Sequence, residues 1–102
     1  MTDTPIFSKL ANDPEFLDLV SAFVIDLPIR SGKILELIRG GSIDDAAELL
    51  HQLKGAAGIY GYQPIHLLAK EVESLLKSGD PMLEEQASEL DRLCQRASAE
   101  PN

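Results

Sequence analysis

"SIDDAAELLHQLKGAAGIYG", Ser42 to Gly61, decides how this chain folds. Ile43, Ala46, Leu50, Leu53, Ala57 and Tyr60 recur at spacings of three and four, the period of one helix face. Ser42 can cap the start, and Asp44 and Asp45 fall in the first turn, where the helix dipole favours negative charge. Gly61 is a stop signal. Inside this helix stand Gly55 and Gly58, although a glycine in a helix interior costs about 1 kcal/mol relative to alanine. On a wheel of about 100° per residue, His51, Lys54, Gly55 and Gly58 form a second stripe, roughly 120° from the centre of the apolar one. Residues at these spacings are neighbours on a helix surface.

The same period extends on both sides. Asn12 or Asp13 can cap a helix with Pro14 in its first turn. Phe16, Leu17, Val20, Phe23, Val24 and Leu27 follow. Pro28 lacks an N–H, so a kink or break is expected there. The pattern resumes with Ile34, Leu35, Leu37 and Ile38 and ends at Gly40-Gly41. After Gly61, Pro64 suits the first turn of a third helix, whose stripe is Ile65, Leu68, Ala69, Val72, Leu75 and Leu76. Ser78-Gly79 closes it, and Asp80-Pro81 restarts the pattern. Met82, Leu83, Ala87, Leu90, Leu93, Cys94 and Ala97 make the last stripe, before a tail from Ala99 that is expected to fray.

Four helices joined by short loops imply an all-α, antiparallel up-down four-helix bundle. Ile6, Phe7 and Leu10 leave room for a short extra N-terminal helix over one end. Tyr60 and Tyr62 are expected to seal an end of the bundle. At 102 residues the chain, 1–102, reads as a single domain.

Composition narrows the function. Nine Lys and Arg against 17 Asp and Glu leave a net charge of −8 and a pI of about 4.5. A nucleic-acid-binding domain needs a basic footprint, so nucleic acid is not an expected partner. An acidic membrane surface would repel the chain, and no apolar run approaches the ~18 residues of a membrane span. With no signal-peptide pattern in the first residues, a cytoplasmic protein is expected. Cys94 is the only cysteine, so it can form neither an internal disulfide nor a cysteine-based metal site. His66 reads as a solvated helix residue. A His51–His66 metal pair lacks further ligands, so no metal site is expected.

The stripe of His51, Lys54, Gly55 and Gly58 carries chemistry. Imidazole is a nucleophile near neutral pH. Lysine one turn away is a point charge suited to phosphate. The glycines remove bulk where another molecule must come close. Phosphoryl transfer is mostly positioning and charge compensation, so this stripe suits receiving and passing on a phosphoryl group.

"HQLKGAAGIYG" resembles the signature of histidine-containing phosphotransfer (HPt) domains, His-x-Leu-Lys-Gly followed by small residues and another glycine. His51, Leu53, Lys54, Gly55 and Gly58 match. "AFVIDLPIRSGKILELI" resembles the family's preceding kinked helix, and "LLAKEVESLLKSG" its following one. The resemblance implies a phosphocarrier. His51 would accept a phosphoryl group at Nε2 from a receiver-domain aspartate and pass it to another. Lys54 would compensate phosphate charge, and Gly55 would permit close docking. Glu73 stands where family members often carry Gln or Glu, able to bond the histidine's other nitrogen. The implied partners are receiver domains of response regulators and of hybrid sensor histidine kinases, with Mg²⁺ contributed by the receiver. No cofactor of the chain's own is implied, and a monomer is expected. Gly-x-x-x-x-Gly-Lys-Ser/Thr is absent, so the chain is not expected to be an ATP-dependent kinase. The alternative is a helical module that binds a receiver without being phosphorylated. Phe23, Leu27 and Ile29 are candidate docking residues on the first helix.

Overall fold

Asp13 begins the first helical element by accepting a hydrogen bond from the Glu15 amide through its side chain (3.0 Å). A 3₁₀ turn, Pro14–Phe16, then leads into α1, Leu17–Arg39. The computed structural model describes residues 5–10 and 12–100. α2 spans Ile43–Ile59, α3 Gln63–Ser78 and α4 Leu83–Gln95. The connections, 40–42, 60–62 and 79–82, are too short to cross the bundle, so successive helices run antiparallel. The main packing runs α1 on α2, α2 on α3, α3 on α4 and α4 back on α1. This is the expected four-helix bundle.

The core is the predicted one. Val20, Phe23, Leu27 and Ile34 of α1 meet Leu50, Leu53 and Ala57 of α2, with Ile65, Ala69 and Val72 of α3 and Ala87, Leu90 and Cys94 of α4. Burial pushes the Cys94 thiol up to about 12, as suits a small hydrophobe. The stripe residues that fall short are Phe16, Leu17, Ile43 and Met82, all exposed. Each stands at or beside the start of a helix, where no neighbouring helix covers it. No helix among the described residues is long and apolar enough to cross a membrane.

Two expectations are corrected. Of the kink or break expected at Pro28, the break is absent: α1 runs through it as one helix. Pro28 is exposed while Leu27 and Ser31 beside it are buried, so packing on both sides of the proline holds the helix together. Ser31 adds a polar tie, donating to Asp91 Oδ1 on α4 (2.6 Å). Second, Ile6 and Phe7 form no helix. Ile6–Phe7 is a short strand, β1, paired in parallel with β2, Ala97–Ser98. The Ile6 amide donates to the Arg96 carbonyl (2.8 Å), while the Ile6 side chain is buried. Leu10 lies in the turn that follows and is half-buried against the core. Ala99 is likewise half-buried, so the chain is held beyond α4; Pro101 and Asn102 lie outside the described residues.

This clasp closes the end of the bundle, together with the tyrosines. Tyr62 is fully buried and donates its hydroxyl to the Ser98 carbonyl (2.7 Å). Tyr60 stacks on Phe23 at 4.7 Å between ring centroids. Gly61 shows why a glycine ends α2. Its φ is +80°, and a Cβ there would lie 2.8 Å from the Lys9 amide nitrogen. That amide donates to the Gly61 carbonyl (3.1 Å), which pins the N-terminal segment to the α2–α3 turn.

Candidate functional site

α2 and α3 lie side by side, and Glu73 of α3 reaches back between two residues of α2. Its Oε1 accepts from Lys54 Nζ (2.6 Å), and its Oε2 lies 3.2 Å from His51 Nδ1. The Glu73 side chain is 11% exposed, that of Lys54 23% and that of His51 71%. The charge is thus gathered under the seam while the imidazole stands out in solvent.

The carboxylate fixes the histidine's chemistry. An ionised carboxylate can only accept hydrogen bonds, so Nδ1 carries a proton and, in the neutral ring, Nε2 keeps its lone pair. The Lys54 ammonium, foremost, and then the His51 bond hold the Glu73 carboxyl below its ordinary range, against the opposing pull of burial. A depressed pKa places Glu73's stabilising contribution above its unfolded value of about 4.3. That contribution fades as pH falls from there through the lowered folded value. A charge-assisted bond of this kind contributes roughly 1–2 kcal/mol. Thermal melts between pH 6 and pH 3 should therefore show a steeper loss of Tm in the wild type than in Glu73→Gln, by several degrees for a domain of this size. Equal slopes would mean that the Glu73–Lys54 pair adds nothing to the fold.

The two motif glycines are not equivalent. A Cβ on Gly55 would meet nothing within 4 Å. A Cβ on Gly58 would lie 3.1 Å from His66 Nδ1 and 3.4 Å from its Cε1. Open backbone, expected at both, is found at Gly55 alone; Gly58 makes the notch that His66 of α3 fills. His66 is accordingly half-buried rather than solvated, and its Nδ1 donates to the Lys54 carbonyl (2.9 Å). The helical order of the sequence does not reveal this contact, because its acceptor is a backbone group.

The candidate docking residues divide as well. Phe23 (4% exposed) and Leu27 (0%) belong to the core and are unavailable, whereas Ile29 is 68% exposed. Ile25, which the sequence reading passed over, is 74% exposed. Ile25 and Ile29 stand at i and i+4, off the buried stripe of α1, which is the signal that could have found them. Between α1 and α2, Ile29, Arg30, Lys33, Leu49 and Gln52 line a groove of about 250 Å³, its two cations paired with Asp26 and Glu36 of α1. Gln52, the residue after His51, is the nearest of these to the site along the chain.

A comparison with curated proteins gives no match, and neither does one with solved structures. The Hpt domain family model matches residues 18–100. The matched span takes in all but the first residue of α1 and the whole of α2, α3 and α4, with His51, Lys54 and Glu73 among its residues. On that match, the chain belongs to the Hpt domain family.

Proposed function

We propose that this chain is a histidine phosphocarrier in which His51 exchanges a phosphoryl group with receiver-domain aspartates. Hpt domains act in phosphorelays as carriers of this kind rather than as kinases. The observation that carries the reading is the pinned imidazole: Nδ1 held by Glu73, Nε2 free on a side chain 71% exposed.

The chemistry follows from that tautomer. The Nε2 lone pair attacks phosphorus, the N–P bond forms and the bond from phosphorus to the aspartyl oxygen breaks. The aspartate leaves with that electron pair as a carboxylate. No proton leaves the imidazole, because Nε2 carries none. The ring becomes cationic, and the Glu73 carboxylate at Nδ1 offsets the new charge. Passing the group on reverses these steps. The Lys54 ammonium, already held at the site by Glu73, is the cation closest in the motif to compensate phosphate oxygens. Mg²⁺ held by the receiver supplies further charge on those oxygens. Gly55 leaves the approach open, and the exposed Ile29 beside the groove between α1 and α2 offers apolar surface to a receiver. The expected setting is the cytoplasm, with the chain acting as a monomer.

Intact-protein mass spectrometry tests this after incubation with a small phosphoramidate and, separately, with a panel of phosphorylated receivers. One acid-labile phosphate is expected. Failure with both kinds of donor would leave only a module that binds receivers without being phosphorylated.

A further inference from the structure

We propose that His66 is a positioning residue for the His51 site, an inference that rests on the phosphocarrier reading. α3 grips Lys54 at both ends. Glu73 holds the ammonium (2.6 Å), and His66, two turns earlier on the same helix, holds the backbone carbonyl (2.9 Å). A carbonyl oxygen can only accept, so His66 Nδ1 carries a proton and donates it. The ring is seated in the notch that Gly58 opens in α2, with Nδ1 and Cε1 turned towards that glycine. An apolar side chain could fill the notch but would give Lys54 no donor.

This contact acts on the chemistry through a short chain of bonds. His66 fixes the Lys54 backbone relative to α3. That sets the reach of the Lys54 ammonium to Glu73 Oε1, and the carboxylate so held presents Oε2 to His51 Nδ1 (3.2 Å). Side chains that act at a reacting atom keep their geometry only when their supports are fixed in turn. The second motif glycine thereby has a use within the chain: it admits the imidazole that steadies the lysine between the two glycines and the histidine.

The test compares His66→Ala with His66→Asn, whose amide nitrogen falls near the place of Nδ1 and can donate to the same carbonyl. Two readouts are taken at a temperature where both variants are folded by circular dichroism. One is the ¹⁵N NMR signature of the His51 tautomer, and the other is the rate of phosphoryl transfer at saturating receiver. His66→Ala should raise the share of the Nε2–H tautomer of His51, because Glu73 is less firmly held at Nδ1. It should slow transfer about three- to tenfold, short of the ~100-fold that a 1 Å misplacement costs, with KM for the receiver little changed. His66→Asn should restore most of both. Gly58→Ala should reproduce the alanine phenotype in the wild-type background and be silent once residue 66 is alanine, where the notch is empty. A folded His66→Ala variant with an unchanged His51 tautomer balance and rate would overturn the proposal, as would an asparagine variant no better than alanine. Should the wild type accept phosphate from no donor, the carrier reading fails, and the tautomer signature alone still decides whether His66 positions His51.

Discussion

His51→Gln should fold like the wild type and take no phosphoryl group. The His51 side chain is 71% exposed and outside the core, so the change should move stability by no more than about 0.5 kcal/mol. Lys54 keeps its bond to Glu73, and the buried carboxylate retains a partner. Glutamine preserves polarity and can still donate to Glu73 through its amide. That amide nitrogen cannot act as the nucleophile, because its lone pair is delocalised into the carbonyl. Mass spectrometry after treatment with phosphoramidate or phosphorylated receiver should show no acid-labile adduct, and transfer should fall to background. Receiver affinity, by contrast, should remain within about threefold, since the apolar groove and Gly55 are untouched and most interface residues outside a few anchors contribute little. A phosphocarrier needs the imidazole, whereas a binding module needs only the surface around it. An acid-labile phosphate on the glutamine variant would put the acceptor elsewhere in the chain.

The bundle was legible because the core repeats. Leu50, Leu53 and Ala57, or Ile65, Ala69 and Val72, are spaced by the helix itself, and each is fully buried. Periodicity fails at helix starts: Phe16, Ile43 and Met82 keep the phase of their stripes but have no neighbouring helix to cover them. It fails also at the clasp, since β1 and β2 are two residues each, too short to show alternation, and pair across almost the whole chain. Pro28 reads as an interruption from local chemistry, yet the packing of Leu27, Ser31 and Ile34 keeps α1 in one piece. At the site, His51 and Lys54 fall together on one helix face by spacing alone. Glu73 comes from the next helix, 22 residues beyond His51, and only the family resemblance pointed to it. His66 reads as a solvated residue in the sequence because its partner is the Lys54 carbonyl, and a backbone acceptor leaves no mark there.

Gly55→Leu should make the protein more stable and much worse at exchanging phosphate with receivers. Leucine is among the better helix formers, and nothing lies within 4 Å of a Cβ at this position, so the helix should gain about 0.5–1 kcal/mol. In a domain of this size that corresponds to a rise of roughly 2–8 °C in Tm. Leucine at the same time raises a side chain one turn from the imidazole, on the stripe that must meet the receiver. The aspartyl phosphate could no longer come into line with Nε2, and transfer from a receiver should fall about 100-fold, as expected when a reacting atom is held about 1 Å out of place. A phosphoramidate, small enough to pass beside the leucine, should still label His51 at a rate within about threefold of the wild type, because the Glu73–His51 bond is intact. The split between the two donors assigns the loss to docking rather than to the imidazole. Gly58→Ala, three residues on, should lack that gain in stability: its Cβ would press on His66 at 3.1 Å, so the helix-propensity gain is offset by displacing the ring. If Gly55→Leu exchanged phosphate with receivers at the wild-type rate, the open face at Gly55 would not be where they dock, and this glycine would cost the helix stability without serving the transfer.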